Sequence, residues 1–144
     1  MAGADEPEAP ASASPTARMI RFDEAVPVAR GDGIATVRLT PTLLPDQAFQ
    51  MGITSFPPGT SIPLHSHNTI EQVTVLEGEG EAELNGQRIA ARPYDTTQIP
   101  PGEVHRFLNT GTGVMRILWV YGSTHVTRTF ADTGETVEQF APRS

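Results

Sequence analysis

Apolar and polar residues alternate over many short stretches of this chain, and turn-forming residues separate the stretches. The alternation is longest in QAFQMGITSF (47–56), where Phe49, Met51 and Ile53 share one face, and it recurs in EQVTVLE (71–77). Every second side chain of a strand lies on the same face, so this pattern predicts β-strands. No stretch keeps the apolar period of about 3.6 residues that is typical of an amphipathic helix. We therefore expect a chain built from strands.

Turn signals divide these stretches and set the spacing of the strands. Asn85-Gly86 stands between EAEL and QRIAA and is the strongest hairpin signal in the chain. Pro-Pro-Gly occurs at 57–59 and again at 100–102, and TGTG (110–113) separates VHRFLN from VMRILWVYG. At least about eight strands, spaced by roughly 8–12 residues, predict an all-β fold, either an antiparallel sandwich or a barrel. After Gly122, HVTRTF is predicted to add a strand, followed by a short helix or a partly ordered arm.

The length of 144 residues fits one domain. Residues 1–18 are rich in Ala, Pro, Ser and acidic residues, and such a segment buries too little apolar surface to offset the entropy of ordering it. We therefore predict a disordered tail over 1–18. The β-barrel domain is predicted over 19–144, with a C-terminal extension that begins near residue 123.

Composition excludes several classes of site and partner. The chain has no cysteine, which excludes disulfides, thiolate metal ligands, iron–sulfur clusters and cysteine nucleophiles. A net charge of −7, a pI near 5.0 and the lack of a basic run argue against nucleic acid or an anionic membrane as the main partner. No apolar run reaches the roughly 18–20 residues that span a bilayer, and the N-terminus lacks the features of a signal peptide. A cytoplasmic protein is the default expectation.

Two of the four histidines stand in one tripeptide, His65-Ser66-His67, and Glu71 follows four residues later. Residues i and i+2 of a strand project from the same face, so both imidazoles point the same way. Glu71 keeps the same parity on the next strand, after a short connection, and is placed to lie beside them. His105 follows the second Pro-Pro-Gly turn, where a new strand begins. In a closed barrel all four side chains would point into the lumen.

This set of side chains has the composition of a metal site. Three neutral imidazoles and one carboxylate suit a divalent transition metal ion: Fe, Mn, Ni, Co, Cu or Zn. Four protein ligands leave two positions open on an octahedral ion, and open positions are what substrate binding and O2 activation need. The sequence does not distinguish among these metals. Glu71 has a second interpretation, as a general base beside three histidine ligands.

The segments GTSIPLHSHNTIEQVTVLEG (59–78) and YDTTQIPPGEVHRFLN (94–109) carry two motifs that resemble those of the cupin family. Tyr94 departs from the second motif, because it stands where the family usually has a glycine in a turn with unusual dihedral angles. The resemblance implies a small jelly-roll β-barrel whose metal ligands are His65, His67, Glu71 and His105. The positions that match the motifs are Gly59, His65, His67, Glu71, Gly78, Pro100, Gly102, His105 and Asn109.

The metal ligands also indicate which strand faces line the lumen. Phe107 and Asn109 share the face of His105, and by the same alternation Val73 and Val75 share the face of Glu71. The predicted lumen is mostly apolar, which favours a hydrophobic or aromatic small molecule as substrate. Further candidates for the lining are Tyr94, Gln98, Arg106, Arg116, Trp119 and Tyr121, with Arg116 as the main charged one.

His125 lies outside both motifs. We interpret it as a surface or tail residue, with a subunit contact or the rim of a pocket as the alternative. Cupins commonly pair as dimers through sheet edges, so the resemblance implies a homodimer. MIRFDEAVPV or HVTRTF is placed to cover an exposed edge across a two-fold axis.

Three functions from different classes are compatible with this sequence. The first is a metal-dependent dioxygenase that holds a substrate enolate, phenolate or diketone together with O2. The second is an O2-independent metal enzyme, an isomerase, cyclase, decarboxylase or lyase, in which Glu71 or a nearby tyrosine moves protons. The third is a non-catalytic module that binds a metal and a small ligand. We favour the enzymes, and among them the dioxygenase, from the resemblance.

Overall fold

The fold is almost entirely β-structure, as the alternating sequence predicts. The computed structural model describes residues 16–141, and within that range one short 3-10 helix (Phe22–Glu24) precedes the strands. The strands are β1 (Val28–Ala29), β2 (Ala35–Arg38), β3 (Gln50–Phe56), β4 (His65–His67), β5 (Glu71–Glu77), β6 (Gly80–Leu84), β7 (Gln87–Ala91), β8 (Thr96–Ile99), β9 (His105–Leu108), β10 (Met115–Tyr121), β11 (Thr127–Phe130) and β12 (Thr136–Glu138).

The strands form two six-stranded antiparallel sheets that pack face to face as a jelly roll. The first sheet has the order β1-β2-β3-β10-β5-β8, and the second has the order β12-β11-β4-β9-β6-β7. Strands that follow one another in the chain often lie in different sheets, so short connections such as residues 68–70 pass from one sheet to the other. The predicted all-β barrel of the jelly-roll type is confirmed.

Inward-facing side chains of both sheets fill the space between them. Along β10, Met115, Ile117, Trp119 and Tyr121 are buried, and the residues between them are only partly covered. Burying one large apolar side chain contributes roughly 1.5–3 kcal/mol, so this alternation fixes which face of β10 points inward. The other core residues are Ile34, Phe56, Val73, Val75, Ala82, Ala91, Ile99, Phe107 and Val126.

The apolar face of β3 points outward, contrary to the usual reading of such a pattern. Met51 and Ile53 lie partly covered on the outer face, and Phe49 precedes the strand and is exposed. Gly52 faces inward because the ring of Trp119 occupies the space beside it. A Cβ atom added at Gly52 would lie 2.2 Å from Cζ2 of Trp119. The ring of Trp119 on β10 therefore fills the core beside Gly52, and β3 itself contributes Phe56 to the core.

Two turns adopt left-handed backbone conformations. The residue types favour this conformation in the first turn but not in the second. Asn85 (φ 50°) and Gly86 (φ 87°) connect β6 to β7, and these residue types favour a hairpin turn with positive φ at both positions. Tyr94 also has a positive φ, 77°, although bulky residues rarely adopt it. The loop thus keeps the dihedral angle for which glycine is suited, with an exposed tyrosine in its place.

The C-terminal extension is part of the second sheet. HVTRTF contains β11, as predicted, but β12 follows it where a short helix or a partly ordered arm was expected; that expectation was wrong. Antiparallel pairing of β12 with β11 supplies the partners that a free arm would lack. Since β11 lies between β4 and β12, HVTRTF is not a free sheet edge.

Most of the predicted disordered tail, residues 1–15, lies outside the described residues. Within residues 16–141 no helix is long and apolar enough to cross a membrane.

Candidate metal centre

Three histidines from two neighbouring strands converge inside the barrel. β4 supplies His65 and His67, and β9 supplies His105, which pairs directly with His65 in the strand register. One ring nitrogen from each residue lies within 4.8 Å of those of the other two. The ring centroids are 4.5–5.3 Å apart, and all three side chains are buried. We call this group the three-histidine cluster.

The second ring nitrogen of each histidine is held by the backbone. A carbonyl oxygen can only accept a hydrogen bond, so each Nδ1 carries a proton, and in the neutral imidazole Nε2 then has the lone pair that a metal ion needs. Hydrogen bonds of this kind fix the tautomer and the ring orientation of metal-binding histidines. The donor set therefore fits a divalent transition metal ion on chemical grounds. The three hydrogen bonds run from His65 to Pro63 (2.8 Å), from His67 to Thr127 (2.9 Å) and from His105 to Glu103 (2.9 Å).

Glu71 reaches the cluster from the opposite sheet. The sequence places it on the next strand, and the structure shows that this strand, β5, does not pair with β4. Its Oε1 atom lies 3.1 Å from Nε2 of His105 and 3.5 Å from Nε2 of His67. The buried carboxylate is thus beside the nitrogens that face the centre of the cluster. Its coordination of a metal stays a prediction.

Tyr121 completes the polar group at the centre of the lumen. Its hydroxyl group lies 3.4 Å from Nε2 of His67, and the two ring centroids are 4.9 Å apart. Burial raises the pKa of Tyr121 well above its ordinary value, and the charge of Glu71 raises it further. The phenol therefore stays protonated at neutral pH and is a hydrogen-bond donor next to a carboxylate.

Burial and Glu71 give the histidines different pKa values. Burial lowers the pKa of His65 well below its ordinary value, and the charges of His105 and His67 lower it further. Burial likewise lowers the pKa of His67, although Glu71 opposes the effect. For His105 burial is outweighed by the hydrogen bond and the charge of Glu71, so its pKa is raised. In the absence of metal, His105 is the member of the cluster that takes up a proton first.

The predicted lumen faces are confirmed for the residues that flank the cluster. Phe107, Val73 and Val75 are buried on the faces that alternation assigned to them. Asn109 is also buried, and its side chain bonds the carbonyl groups of Phe56 and Gly113 and the amide of Gly111. Asn109 therefore holds the loop between β9 and β10.

The charged and polar candidates for the lining lie elsewhere. Arg116, the main charged candidate, is outside the lumen and forms an ion pair with Glu77 on the outer face. Tyr94 and Gln98 are exposed, and Arg106 pairs with Glu83. Of the six candidates only Trp119 and Tyr121 are buried in the core.

His125 is exposed and lies 3.2 Å from a carboxylate oxygen of Glu138, away from the cluster. This position agrees with its interpretation as a surface residue.

Two buried arginines that the sequence reading missed lie beside the cluster. Arg30 and Arg128 line a cavity of about 30 Å³ together with His65, Phe130 and Gln139. Arg128 pairs with His67 in the register of β11 and β4, so the two side chains share a sheet face. The available signal was the alternation of Val126, Arg128 and Phe130, which places the arginine on an apolar face.

Comparison with known proteins gives one family. A family model described as "Cupin domain" matches residues 52–121. Protein SchB of Streptomyces halstedii is 33% identical over 107 residues, which cover 74% of this chain and 78% of that protein. Polyketide synthase CurC of Streptomyces cyaneus is 30% identical over 103 residues, covering 71% of this chain and 67% of that protein. The solved structure of polyketide cyclase RemF from Streptomyces resistomycificus has a TM-score of 0.64 at 20% identity and covers 89% of each chain.

Proposed function

The chain belongs to the cupin superfamily, and on that premise we propose that it is a metal-dependent enzyme acting on a small, largely apolar organic molecule. One observation carries the proposal: one ring nitrogen of each of the three histidines lies within 4.8 Å of those of the other two, while each Nδ1 is held by a backbone carbonyl group. His65, His67 and His105 would hold the ion, with Glu71 as the fourth ligand. When bound, the ion supplies Lewis acidity and, for a redox-active metal, an electron for O2 activation.

The remaining contributions come from the chain itself. When Glu71 does not ligate the ion, it is placed to accept a proton at Oε1, and Tyr121 is placed to donate one from its hydroxyl group. Glu71 and Tyr121 are themselves buried, as are Phe107 and Val73, and burial strengthens the electrostatic interaction between Glu71 and Tyr121. The lumen thus offers one base and one acid within reach of a substrate oxygen.

Metal content tests the proposal at its base. The protein is purified without added metal, and its metal content is measured beside that of His65→Ala/His67→Ala. We expect close to one equivalent of a transition metal in the wild type and loss of that metal in the double variant. His125→Ala removes a histidine outside the cluster and is the matched control. A folded wild-type protein that takes up no divalent metal would exclude a metal enzyme.

The first candidate reaction is a dioxygenase reaction. The four proposed ligands leave two positions for substrate and O2, which is the support for it. The experiment measures turnover of a panel of enols, phenols and 1,3-diketones by metal-loaded protein, with and without O2. A dioxygenase consumes O2 in step with its substrate. Equal turnover under anaerobic conditions would rule this reaction out.

The second candidate is an O2-independent reaction that depends on proton transfer, such as a cyclisation or an isomerisation. The contact of Tyr121 with His67 and the influence of Glu71 on Tyr121 favour it, because they place an acid and a base together. The names of two similar proteins, polyketide synthase CurC and polyketide cyclase RemF, also support it. Tyr121→Phe would lower turnover by about 10²–10⁴-fold without loss of metal. Unchanged turnover would remove Tyr121 from the reaction.

The homodimer remains part of the proposal. β1 is an edge strand of the first sheet, and it begins at Val28, the last residue of the segment MIRFDEAVPV (19–28) that we expect at a subunit contact. Light scattering tests it, and a monomeric mass at micromolar concentration would contradict it.

A further inference from the structure

Arg128 is a buried cation whose hydrogen-bond acceptors among residues 16–141 are backbone carbonyl oxygens. Its side chain is 4% exposed, and its two terminal nitrogens donate hydrogen bonds to the carbonyl groups of Gln139 (2.6 Å) and Ala141 (3.0 Å). Its Nε atom is buried without a hydrogen-bond partner. Within residues 16–141 no carboxylate lies within 4.0 Å of it. A buried charge of this kind is normally paired, so this one is a ready binding group for an anion.

The cavity next to Arg128 connects it to the three-histidine cluster. Arg30, His65 and Gln139 line the same cavity, and Oε1 of Gln139 is buried without a hydrogen-bond partner. Arg30 donates to the carbonyl group of Ala141 (3.2 Å), and its charge lowers the pKa of both His65 and His67. Two guanidinium groups therefore converge on one carbonyl oxygen beside the cluster.

The C-terminal segment (136–141) places an aromatic ring beside these carbonyl groups. The ring of Phe140 lies 5.6 Å from that of Trp119, which in turn lies 5.0 Å from Tyr121. The guanidinium group of Arg38 lies over the ring of Phe140, 4.2 Å from the ring centroid. The segment thus presents an apolar ring to the aromatic wall and oxygen atoms to the arginines. An aromatic acid has the same two features, an apolar ring and oxygen atoms that accept hydrogen bonds from arginine.

We propose that Arg128, with Arg30, forms an anion-binding subsite beside the three-histidine cluster, which takes the carboxylate or enolate oxygens of an apolar organic acid in place of the C-terminal carbonyl groups. The proposal rests on the proposed function, since it names the substrate class of the same lumen. A cavity of about 30 Å³ holds no more than one or two water molecules. A ligand of this class therefore displaces Gln139, Phe140 and Ala141 from the arginines and from Trp119.

Benzoate and benzamide test the subsite, because they have the same shape and differ in charge. Calorimetric titration of the protein should show binding of benzoate and much weaker binding of benzamide. Arg128→Gln should weaken benzoate binding by about 10- to 100-fold, the range for loss of a hydrogen bond to a charged group. Arg88→Gln, an exposed arginine on β7, is the matched control and should bind benzoate as the wild type does. Absence of benzoate binding, or equal binding by Arg128→Gln, would overturn the proposal.

Phe140→Ala provides a second, independent measurement. If the C-terminal segment competes with the ligand, this variant should bind benzoate several-fold more tightly than the wild type. If Arg128 only anchors the segment, the affinity should be unchanged or lower, and that result would count against the subsite. Trp119 is the sole tryptophan, so displacement of Phe140 by benzoate should also change the fluorescence of the wild type.

The titrations are run on metal-free and on zinc-loaded protein. Dependence of benzoate binding on Arg128 in both forms supports the subsite even if the metal proves absent from the purified protein. If the protein binds no metal but its benzoate binding depends on Arg128, only the proposed function is contradicted. Metal binding with no dependence on Arg128 contradicts the subsite alone.

Discussion

Oε1 of Glu71 lies 3.1 Å from Nε2 of His105, although the two residues belong to different sheets. The connection between β4 and β5 passes from one sheet to the other within three residues, so Glu71 approaches His67 and His105 from the opposite sheet. This contact joins the two sheets at the centre of the barrel. It also decides which histidine of the cluster is protonated in the absence of metal.

Replacing Glu71 by glutamine should lower the pKa of His105 and weaken metal binding. The carboxylate with the largest favourable effect on the imidazolium form is lost, so only the backbone hydrogen bond to Glu103 and the charge of Glu103 then oppose the effect of burial on His105. Histidine NMR titration of metal-free protein measures the first effect. Competition with a chelator measures the second, for which we expect a loss of about 10-fold or more. Glu79→Gln, on the exposed surface, is the control. An unchanged pKa of His105 would contradict the role of Glu71.

The stability of metal-free protein should fall as the pH falls below about 6.5, the ordinary pKa of histidine. His65 and His67 have lowered pKa values in the folded state, so the unfolded chain binds more protons in that range. His105, with its raised pKa, acts in the opposite sense: its contribution is complete below pH 6.5 and declines as the pH rises through its folded pKa. Because two histidines have lowered pKa values and only one has a raised value, the free energy of unfolding should decrease as the pH falls below about 6.5. The decrease is at most about 1.4 kcal/mol per pH unit for each proton taken up on unfolding.

Urea unfolding between pH 5 and pH 8 measures this profile. His65→Asn should flatten the acid side, because it removes one of the two histidines with a lowered pKa. His125→Gln should leave the profile unchanged, since His125 lies outside the cluster. Stability that increases steadily from pH 8 down to pH 5 would contradict the assigned shifts.

The local sequence pattern predicted the strands. Alternation along a strand placed His65 and His67, and the turn signal before residue 105 placed His105. His65 and His67 share a face on any strand, and the turn before His105 starts the next one. The position of Glu71 depends on the sheet topology, because the local sequence does not indicate that β5 belongs to the other sheet. The face of β3 was ambiguous for a different reason: the ring of Trp119, distant in sequence, takes the place of side chains at Gly52.

The burial of Arg128 also depends on residues that are distant in sequence, so the local pattern did not predict it. Arg128 is buried because β11 pairs with β4 and because backbone carbonyl groups from the C-terminal segment receive its hydrogen bonds. Charged residues are rarely buried without such partners, so composition argues for an exposed arginine. Arg116, in a longer apolar strand, was the more obvious candidate and lies outside.

Tyr94→Gly should stabilise the protein by about 0.5–1 kcal/mol. A left-handed conformation costs a residue with a side chain about 1–2 kcal/mol, and glycine loses part of that gain through its greater entropy in the unfolded chain. Tyr94 is 80% exposed, so removing its ring gives up little packing. Thermal or urea unfolding measures the change. Tyr94→Ala keeps the backbone strain and should give no gain; equal stabilisation by both variants would point to the ring instead of the backbone.

A divalent metal should stabilise the folded protein, because β4 and β9 bring the three histidines together and β5 adds Glu71, an arrangement that does not exist in the unfolded chain. At a free metal concentration of 100 times Kd, the free energy of unfolding should rise by about 2.7 kcal/mol. The effect should weaken below neutral pH, because a metal competes with the proton that His105 takes up first. Unfolding of chelator-treated protein, with and without zinc or manganese, measures it at pH 7.5 and pH 5.5. His105→Ala should remove the gain and its pH dependence together. A metal-induced gain of the same size in His105→Ala would place the metal elsewhere.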